Sequence, residues 1–342
     1  MTPTWTGFSP SLPSSLIGTK LSNRKEQKEM IPRPTKVLVC GSLAMDHLLR
    51  HRGSFKTYQE TYGADALNAS LPISEYRTCY GGCGGNIAYG LGVLGVPTVL
   101  LSHAGRDFLT DYQSHLLAHH IDCKFVAVDP DAEFSARCTI LSDDHGNQIT
   151  GFYPGNADAS LRSSAQTVCQ QTSADFALLG PEAPALMSKQ ARELASACIP
   201  FVFDPGQWVS EFTQDELEEM LSFKPLIFAN EHEVAVIRAK LAMTLEELSA
   251  RVPLMACTRG AAGVELFIGG ARHAIQAVKA NVIADTTGSG DAFRAGFIFG
   301  LTRGCDAVEA ARIGALLAAT SIAHEDPQGW SINPDDLNQA GA

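Results

Sequence analysis

Residues 285–297 read DTTGSGDAFRAGF, and this stretch is more informative about the fold and its chemistry than any other part of the chain. The small residues from Gly288 to Gly290 let backbone amides converge on one point. The apolar run from Phe293 to Leu301 predicts a helix that begins there, and the free amides of a helix start attract anions. Asp291 lies in the first turn, where a carboxylate can accept a proton from a hydroxyl that attacks a phosphoryl group. Taken alone, such a turn is equally compatible with a simple helix cap.

The whole string resembles the DTxGxGD signature of the PfkB family of carbohydrate and nucleoside kinases, which includes ribokinase and adenosine kinase. The resemblance implies that Asp291 is the catalytic base. It also implies an anion hole in which the backbone amides of Gly288, Ser289 and Gly290 stabilise the negative charge of the transferred phosphoryl group. Asp285 and Thr287 match positions that in some members hold a monovalent cation, which makes K⁺ a candidate cofactor beside ATP and Mg²⁺. The helix start is expected to depress the pKa of Asp291, which would make it a poor base at neutral pH. Positioning of the attacking hydroxyl would then do most of the catalysis.

The composition favours a protein that acts on a small molecule. The chain has 342 residues, of which 45% are hydrophobic, enough for one large or two smaller α/β domains. The net charge of -11 and the absence of a Lys/Arg cluster argue against nucleic acid or an anionic membrane as a partner. The nine cysteines are odd in number and scattered, as is typical of a reducing cytoplasm. We therefore expect a soluble cytoplasmic monomer or homodimer.

Three segments are expected along the chain. Residues 1–33 are rich in Ser, Pro and Thr and predict a disordered leader, whereas residues 335–342 form a C-terminal tail. Between them, residues 34–334 form one kinase domain. Its first strand is the apolar run Val37 to Cys40, and the strand-like and helix-like patterns that follow alternate as in βαβ units. This predicts an α/β fold with a doubly wound, mostly parallel sheet and helices on both faces.

Two regions interrupt that alternation. Residues 47–80 are polar and rich in turns, and residues 122–155 contain a hairpin signal around Asp143-Asp144-His145-Gly146-Asn147. The resemblance implies a ribokinase-like arrangement in which a small β-sheet lid from these two regions closes over the substrate. Closure would exclude water, which protects a nucleotide from hydrolysis.

Two further motifs are candidates for the substrate site. Gly81-Gly82-Cys83-Gly84-Gly85-Asn86 precedes a helix, and its resemblance to the family's GGxxxN element implies that Gly82 and Asn86 grip sugar hydroxyls. Asp46 follows the first strand. Taken alone, such an aspartate is more often a turn or helix cap, but the family places here a carboxylate that accepts from two vicinal hydroxyls.

The nucleotide site is expected after two later strands. Asn230-Glu231-His232-Glu233 resembles the NxxE motif, which implies that Asn230 contacts phosphate and Glu233 organises Mg²⁺ through water, although the same pair would also make a good helix cap. Residues 258–263 resemble the TxGxxG loop that meets the nucleotide. Their nucleotide-binding positions are Thr258, Gly260 and Gly263.

The prediction of the substrate rests on two loops. Residues 147–155, NQITGFYPG, and residues 204–207, DPGQ, resemble the bacterial adenosine-kinase-like branch, in which Gln207 would approach the purine and Trp208 could stack on it. The prediction is an ATP- and Mg²⁺-dependent kinase that converts adenosine to AMP. The alternatives are a kinase for ribose, another sugar or another nucleoside, a non-catalytic ligand-binding member, and a nicotinamide oxidoreductase, which is disfavoured.

Overall fold

The computed structural model describes residues 31–57, 70–145, 147–333 and Leu337. Most of the predicted leader and tail lies outside the described residues, as do residues 58–69 of the predicted lid. Within the described residues, no helix is long and apolar enough to cross a membrane.

The described residues form two sheets. The strands of the large sheet are β1 (Val37–Cys40), β4 (Thr98–Ala104), β5 (Ile121–Val128), β8 (Phe176–Leu179), β9 (Phe201–Phe203), β10 (Leu226–Asn230), β11 (Leu254–Thr258), β12 (Val264–Ile268) and β13 (Ala271–Ile275). The strands of the small sheet, called the lid sheet below, are β2 (Ala44–His51), β3 (Glu75–Gly81), β6 (Ala136–Asp143) and β7 (Gln148–Tyr153).

The large sheet is wound in both directions from its first strand. Its order is β13-β12-β11-β10-β9-β8-β1-β4-β5, with β1 parallel to both β4 and β8. Only β12 and β13 among the described strands of this sheet run antiparallel to their neighbours. The predicted doubly wound, mostly parallel sheet is therefore confirmed. In such sheets ligands bind beyond the carboxyl ends of the strands, where the winding direction changes.

Helices cover both faces of the large sheet, as predicted. They are α1 (Cys83–Val93), α2 (Gln113–Ala118), α3 (Ala165–Thr172), α4 (Pro184–Ser196), α5 (Gln214–Ser222), α6 (Glu231–Leu241), α7 (Leu245–Ala250), α8 (Ser289–Thr302) and α9 (Ala307–Ser321). Alternate residues of β1 point to opposite faces. Val37 and Val39 belong to one core with α1, α8 and α9, whereas Leu38 and Cys40 belong to the other with α3 to α7.

Helix α8 is held almost against the backbone of α9. A Cβ on Gly296 would lie 2.9 Å from the Cα of Gly314, and one on Gly300 would lie 2.7 Å from the Cα of Ala310. Every residue of α8 from Asp291 to Leu301 is buried. This packing fixes the position of the helix start, where the sequence predicts the chemistry.

The lid sheet differs in its boundaries from the prediction. Its order is β3-β2-β6-β7, and β2 begins at Ala44, so that Asp46 lies within a lid strand and not in a loop. Residues 122–128 were assigned to the lid but belong to β5, which pairs with β4 in the large sheet. The reason is burial, since Ile121, Cys123 and Phe125 contribute to the cores of the large sheet.

Candidate active site

Asp291 lies buried in the first turn of α8, next to a residue from the start of α1. The Nδ2 atom of Asn86 donates a hydrogen bond to Oδ2 of Asp291 at 2.8 Å. Burial raises the pKa of Asp291 to about 6, against the opposing effects of Arg294 and the Asn86 hydrogen bond. The expected depression of this pKa by the helix start is therefore wrong, because loss of hydration outweighs the helix dipole.

The turn before α8 supplies the backbone amides of the helix start, in the same turn as Asp291. Gly288 is the N-cap, with a left-handed φ of 75° that favours glycine. The Ser289 amide donates to the Thr286 carbonyl at 3.2 Å. In the described part of the chain, the amides of Gly288, Gly290 and Asp291 meet no backbone acceptor. An anion at this turn would therefore find three unengaged donors, of which Gly288 and Gly290 belong to the predicted hole, whereas the predicted Ser289 amide is already engaged.

A buried ion pair that was not predicted from the sequence packs against this turn. Nη2 of Arg294 donates to Oδ1 of Asp204 at 2.7 Å, and both side chains are less than a tenth exposed. A Cβ on Gly290 would lie 2.8 Å from Nη1 of Arg294, so the guanidinium lies directly beneath the glycine turn. Arg294 follows Asp291 by three positions, a spacing that puts both on one side of a helix and was the available signal. The pair joins α8 to the DPGQ loop.

Asp46 is on β2, one of the two interior strands of the lid sheet. Its register partners are Cys79 on β3 and Cys138 on β6, so a paired strand lies on either side of it. A Cβ on Gly81 would lie 2.5 Å from Oδ2 of Asp46, which only glycine permits. Burial raises the pKa of Asp46 to about 6, and the nearby carboxylates of Asp326 and Asp285 add to the effect.

The GGCGGN segment forms the start of α1. Gly82 is the N-cap of this helix with φ of 83°, and a Cβ there would lie 2.6 Å from the Ser42 carbonyl oxygen. Its glycine is thus required by close contact with the loop after β1. Asn86 is buried, and its Oδ1 accepts a hydrogen bond from Nε2 of Gln328 at 2.9 Å. The structure therefore brings Asn86 to Asp291 and adds Gln328, which the sequence analysis did not identify.

The predicted nucleotide-site residues lie at the carboxyl ends of neighbouring strands. Asn230 of β10 and Thr258 of β11 are register partners. The Asn230 side chain accepts from the Glu233 amide, and Glu233 accepts from both the amide and Nδ2 of Asn230, so the helix-cap interpretation of this pair holds. Burial raises the pKa of Glu233. Gly260 and Gly263 both have positive φ, and the space beside Gly260 is open.

Asp285 and Thr287 form a local turn at a cleft. Oδ1 of Asp285 accepts from the Thr287 amide and from its hydroxyl, both at 2.8 Å. The cleft has a volume of about 290 Å³ and is bounded on one side by lid-sheet residues such as Leu48 and Ile140. An ion pair between Arg77 of β3 and Glu325 crosses from the lid sheet to the body.

Gln207 lies apart from these contacts. It is exposed on a short 3₁₀ turn, Gly206–Ser210, and its side chain makes no hydrogen bond to the part of the chain that the structure describes. Trp208 beside it is half-buried. Their predicted roles at the purine stay predictions.

Three comparisons identify relatives of the chain. A family model described as pfkB family carbohydrate kinase matches residues 35–334. The nucleoside kinase of Burkholderia thailandensis, solved in complex with inosine, is 31% identical with a TM-score of 0.77 over 89% of this chain and 96% of that one, and it has also been solved in complex with ADP-inosine. The nucleoside kinase of Methanocaldococcus jannaschii is 29% identical over 74% of this chain and 82% of that protein. The ribokinase of Lactococcus lactis is 26% identical over 86% and 93%, respectively. The chain therefore belongs to the pfkB family of carbohydrate kinases, phosphotransferases whose acceptor is a sugar or nucleoside hydroxyl group.

Proposed function

We propose that this kinase transfers the γ-phosphoryl group of ATP to the 5′-hydroxyl of a purine nucleoside, with adenosine as the substrate and AMP as the product. The observation that carries the proposal is Asp291, a buried carboxylate with a pKa of about 6 in the first turn of a helix whose starting amides are free. The complexes of the Burkholderia kinase with inosine and ADP-inosine support a purine nucleoside acceptor and an adenine nucleotide donor.

In this proposal Asp291 orients the 5′-hydroxyl and takes its proton. A pKa near 6 leaves the carboxylate ionised at neutral pH and yet more basic than an ordinary aspartate, which suits a general base. The new bond joins the 5′-oxygen to the γ-phosphorus while the bond to the β,γ-bridging oxygen breaks. The amides of Gly288, Gly290 and Asp291 stabilise charge on the transferring group, and the buried guanidinium of Arg294 lies against Gly290.

Metal ions complete the proposed donor site. Among the described residues, no cluster of three or more His, Cys, Asp or Glu side chains would hold a metal ion by itself. The buried Glu233 fits the predicted role of binding Mg²⁺ through a water molecule. Each of its carboxylate oxygens accepts a hydrogen bond from Asn230 and retains a lone pair for a metal-bound water. When bound with the nucleotide, Mg²⁺ would neutralise phosphate charge. Asp285 and Thr287 remain the candidates for K⁺.

The acceptor site is proposed between the lid sheet and the body. Asp46 would accept from two vicinal ribose hydroxyls, with Gly82 and Asn86 beside it, while Gln207 and Trp208 would approach the base. Thr258, Gly260 and Gly263 would contact the nucleotide. The proposal places the enzyme in the cytoplasm, which is supported by nine free thiols, five of them buried.

A coupled assay of nucleotide consumption tests the proposal. Adenosine should be used with a kcat/KM at least about a hundredfold above that of ribose, because ribose lacks the base contacts that help to drive closure. Inosine belongs in the same assay. Asp291→Asn should lower kcat at least about a hundredfold, with nucleotide affinity retained. Equal rates with ribose would identify a sugar kinase, and no turnover with any acceptor would indicate a non-catalytic member.

A further inference from the structure

A chain of side-chain hydrogen bonds runs behind Asp291. Nε2 of His115 lies 3.0 Å from Oε1 of Gln328, Nε2 of Gln328 donates to Oδ1 of Asn86 at 2.9 Å, and Nδ2 of Asn86 donates to Asp291 at 2.8 Å. Gln328 and Asn86 are buried, and His115 is half-buried. The four side chains come from α2, the segment after α9, α1 and α8.

While Asp291 is ionised, the donors and acceptors along this series of hydrogen bonds can be oriented in only one way. The carboxylate only accepts, so the Asn86 amide must turn its nitrogen toward Asp291 and its oxygen toward Gln328. Gln328 must then present its nitrogen to Asn86 and its oxygen to His115. Burial and the neighbouring His119 lower the pKa of His115, so the ring is neutral and its single proton must be on Nε2.

We propose that His115 and Gln328 are positioning residues that hold the Asn86 amide with its nitrogen toward Asp291, and this inference rests on the proposed role of Asp291 as the base. If Gln328 lost its donor or His115 its proton, Asn86 could turn its oxygen toward the carboxylate. Two acceptors would then face each other, and Asp291 would be ionised less readily and held less firmly.

The surroundings of His115 suit this task. Its ring stacks on that of Tyr80 at 3.9 Å and on that of Tyr89 at 5.5 Å between centroids, which fixes its plane. Gln328 also donates to the hydroxyl of Tyr112, which in turn donates to the Gly81 carbonyl at 2.9 Å. Since Gly81 ends β3 and lies against Asp46, the same amide connects the base to the lid sheet.

The test compares two histidines of one aromatic cluster. His115→Phe keeps a ring between the two tyrosines and removes the donor, and it should lower kcat about tenfold or more while the KM for ATP stays within about twofold. Gln328→Glu, which keeps the shape of the side chain, should lower kcat similarly. His119→Phe is the matched control, because the His119 ring contacts Tyr89 and His115 but, among the described residues, forms a hydrogen bond only with the His115 carbonyl. It should retain wild-type kcat.

Combined variants separate positioning from a general loss of structure. The effects of His115→Phe and Gln328→Glu on kcat should not add, and His115→Phe should have no further effect in an Asp291→Asn background. His115→Gln, which keeps a donor, should recover part of kcat. Additive losses, or an equal loss in His119→Phe, would overturn the proposed positioning role of His115 and Gln328 while leaving the kinase function intact. A wild-type chain without kinase activity would instead overturn the proposed function, and with it the positioning role.

Discussion

Two carboxylates on different elements, Asp46 of β2 and Asp291 of α8, both have a pKa of about 6. Burial is the main cause for each, but the neighbouring charges differ. Asp46 faces the carboxylates of Asp285 and Asp326, whereas Asp291 lies near the guanidinium of Arg294. In the proposed mechanism both must be ionised in the free enzyme, one to accept from ribose hydroxyls and one to accept a proton.

The pH profile should reveal both groups. Because each becomes protonated as the pH falls through about 6, the logarithm of kcat/KM for the nucleoside should fall below pH 6 with a slope approaching two. Above that range it should be flat. In Asp46→Asn, kcat/KM should be lower throughout and its acid limb should have a slope near one. A wild-type slope of one, unchanged in Asp46→Asn, would remove Asp46 from the titrating pair.

At the scale of elements, local patterns predicted strands and helices well where both faces are buried. The four residues of β1 are all buried, and β8, β10 and β11 carry similarly apolar runs. The predicted lid region of residues 122–155 includes most of β5, and the pairing of β5 with β4 shows that this strand belongs to the large sheet. Strands β12 and β13 were not predicted, since a short hairpin after the TxGxxG loop has little periodicity of its own.

In the candidate site too, local features could be predicted from the sequence, whereas contacts between distant residues could not. Asp291, Gly288 and Asn230 carry their signal within a few residues of sequence, because caps and helix starts are local. The contact between Arg294 and Asp204 joins residues 90 positions apart, and that between Gln328 and Asn86 joins residues 242 apart. No local pattern fixes such pairs. They follow from the way the folded core brings α8 to the loop after β9 and the segment after α9 to α1.

The contact between α8 and α9 gives a prediction about an element. Gly296→Ala would normally favour a helix by up to about 1 kcal/mol, but here the new Cβ would lie 2.9 Å from the Cα of Gly314. The helices must separate, so we expect a loss of about 1–3 kcal/mol in the free energy of unfolding. Because α8 carries Asp291, kcat should fall as well. Denaturant unfolding and steady-state kinetics measure the two effects.

A second glycine in the chain provides the matched control. Gly151 lies on the exposed strand β7, and a Cβ there would meet nothing within 4 Å. Gly151→Ala should therefore leave the free energy of unfolding close to the wild-type value. If Gly296→Ala were as stable as Gly151→Ala and as active as the wild type, the close packing of α8 against α9 would not be what holds the helix start in place.

At the scale of the whole molecule, the lid sheet and the body meet along the cleft and are joined by the ion pair of Arg77 and Glu325. Both side chains are about half exposed, so the pair should add little to stability. Its value would lie in holding the lid closed. At about 0.2–1 kcal/mol for an exposed pair, Arg77→Ala should lower kcat/KM for the nucleoside by about 1.4- to fivefold and leave the melting temperature unchanged.

A less firmly closed lid should also admit water, so Arg77→Ala should raise the rate of ATP hydrolysis measured without an acceptor. Adding Glu325→Gln to Arg77→Ala should change neither rate further, because the partner is already lost. The control is Arg192→Ala, since Arg192 pairs with Glu219 at similar exposure but joins α4 to α5 within the body. An equal loss of kcat/KM in Arg192→Ala would mean that surface charge, and not closure of the lid, determines the rate.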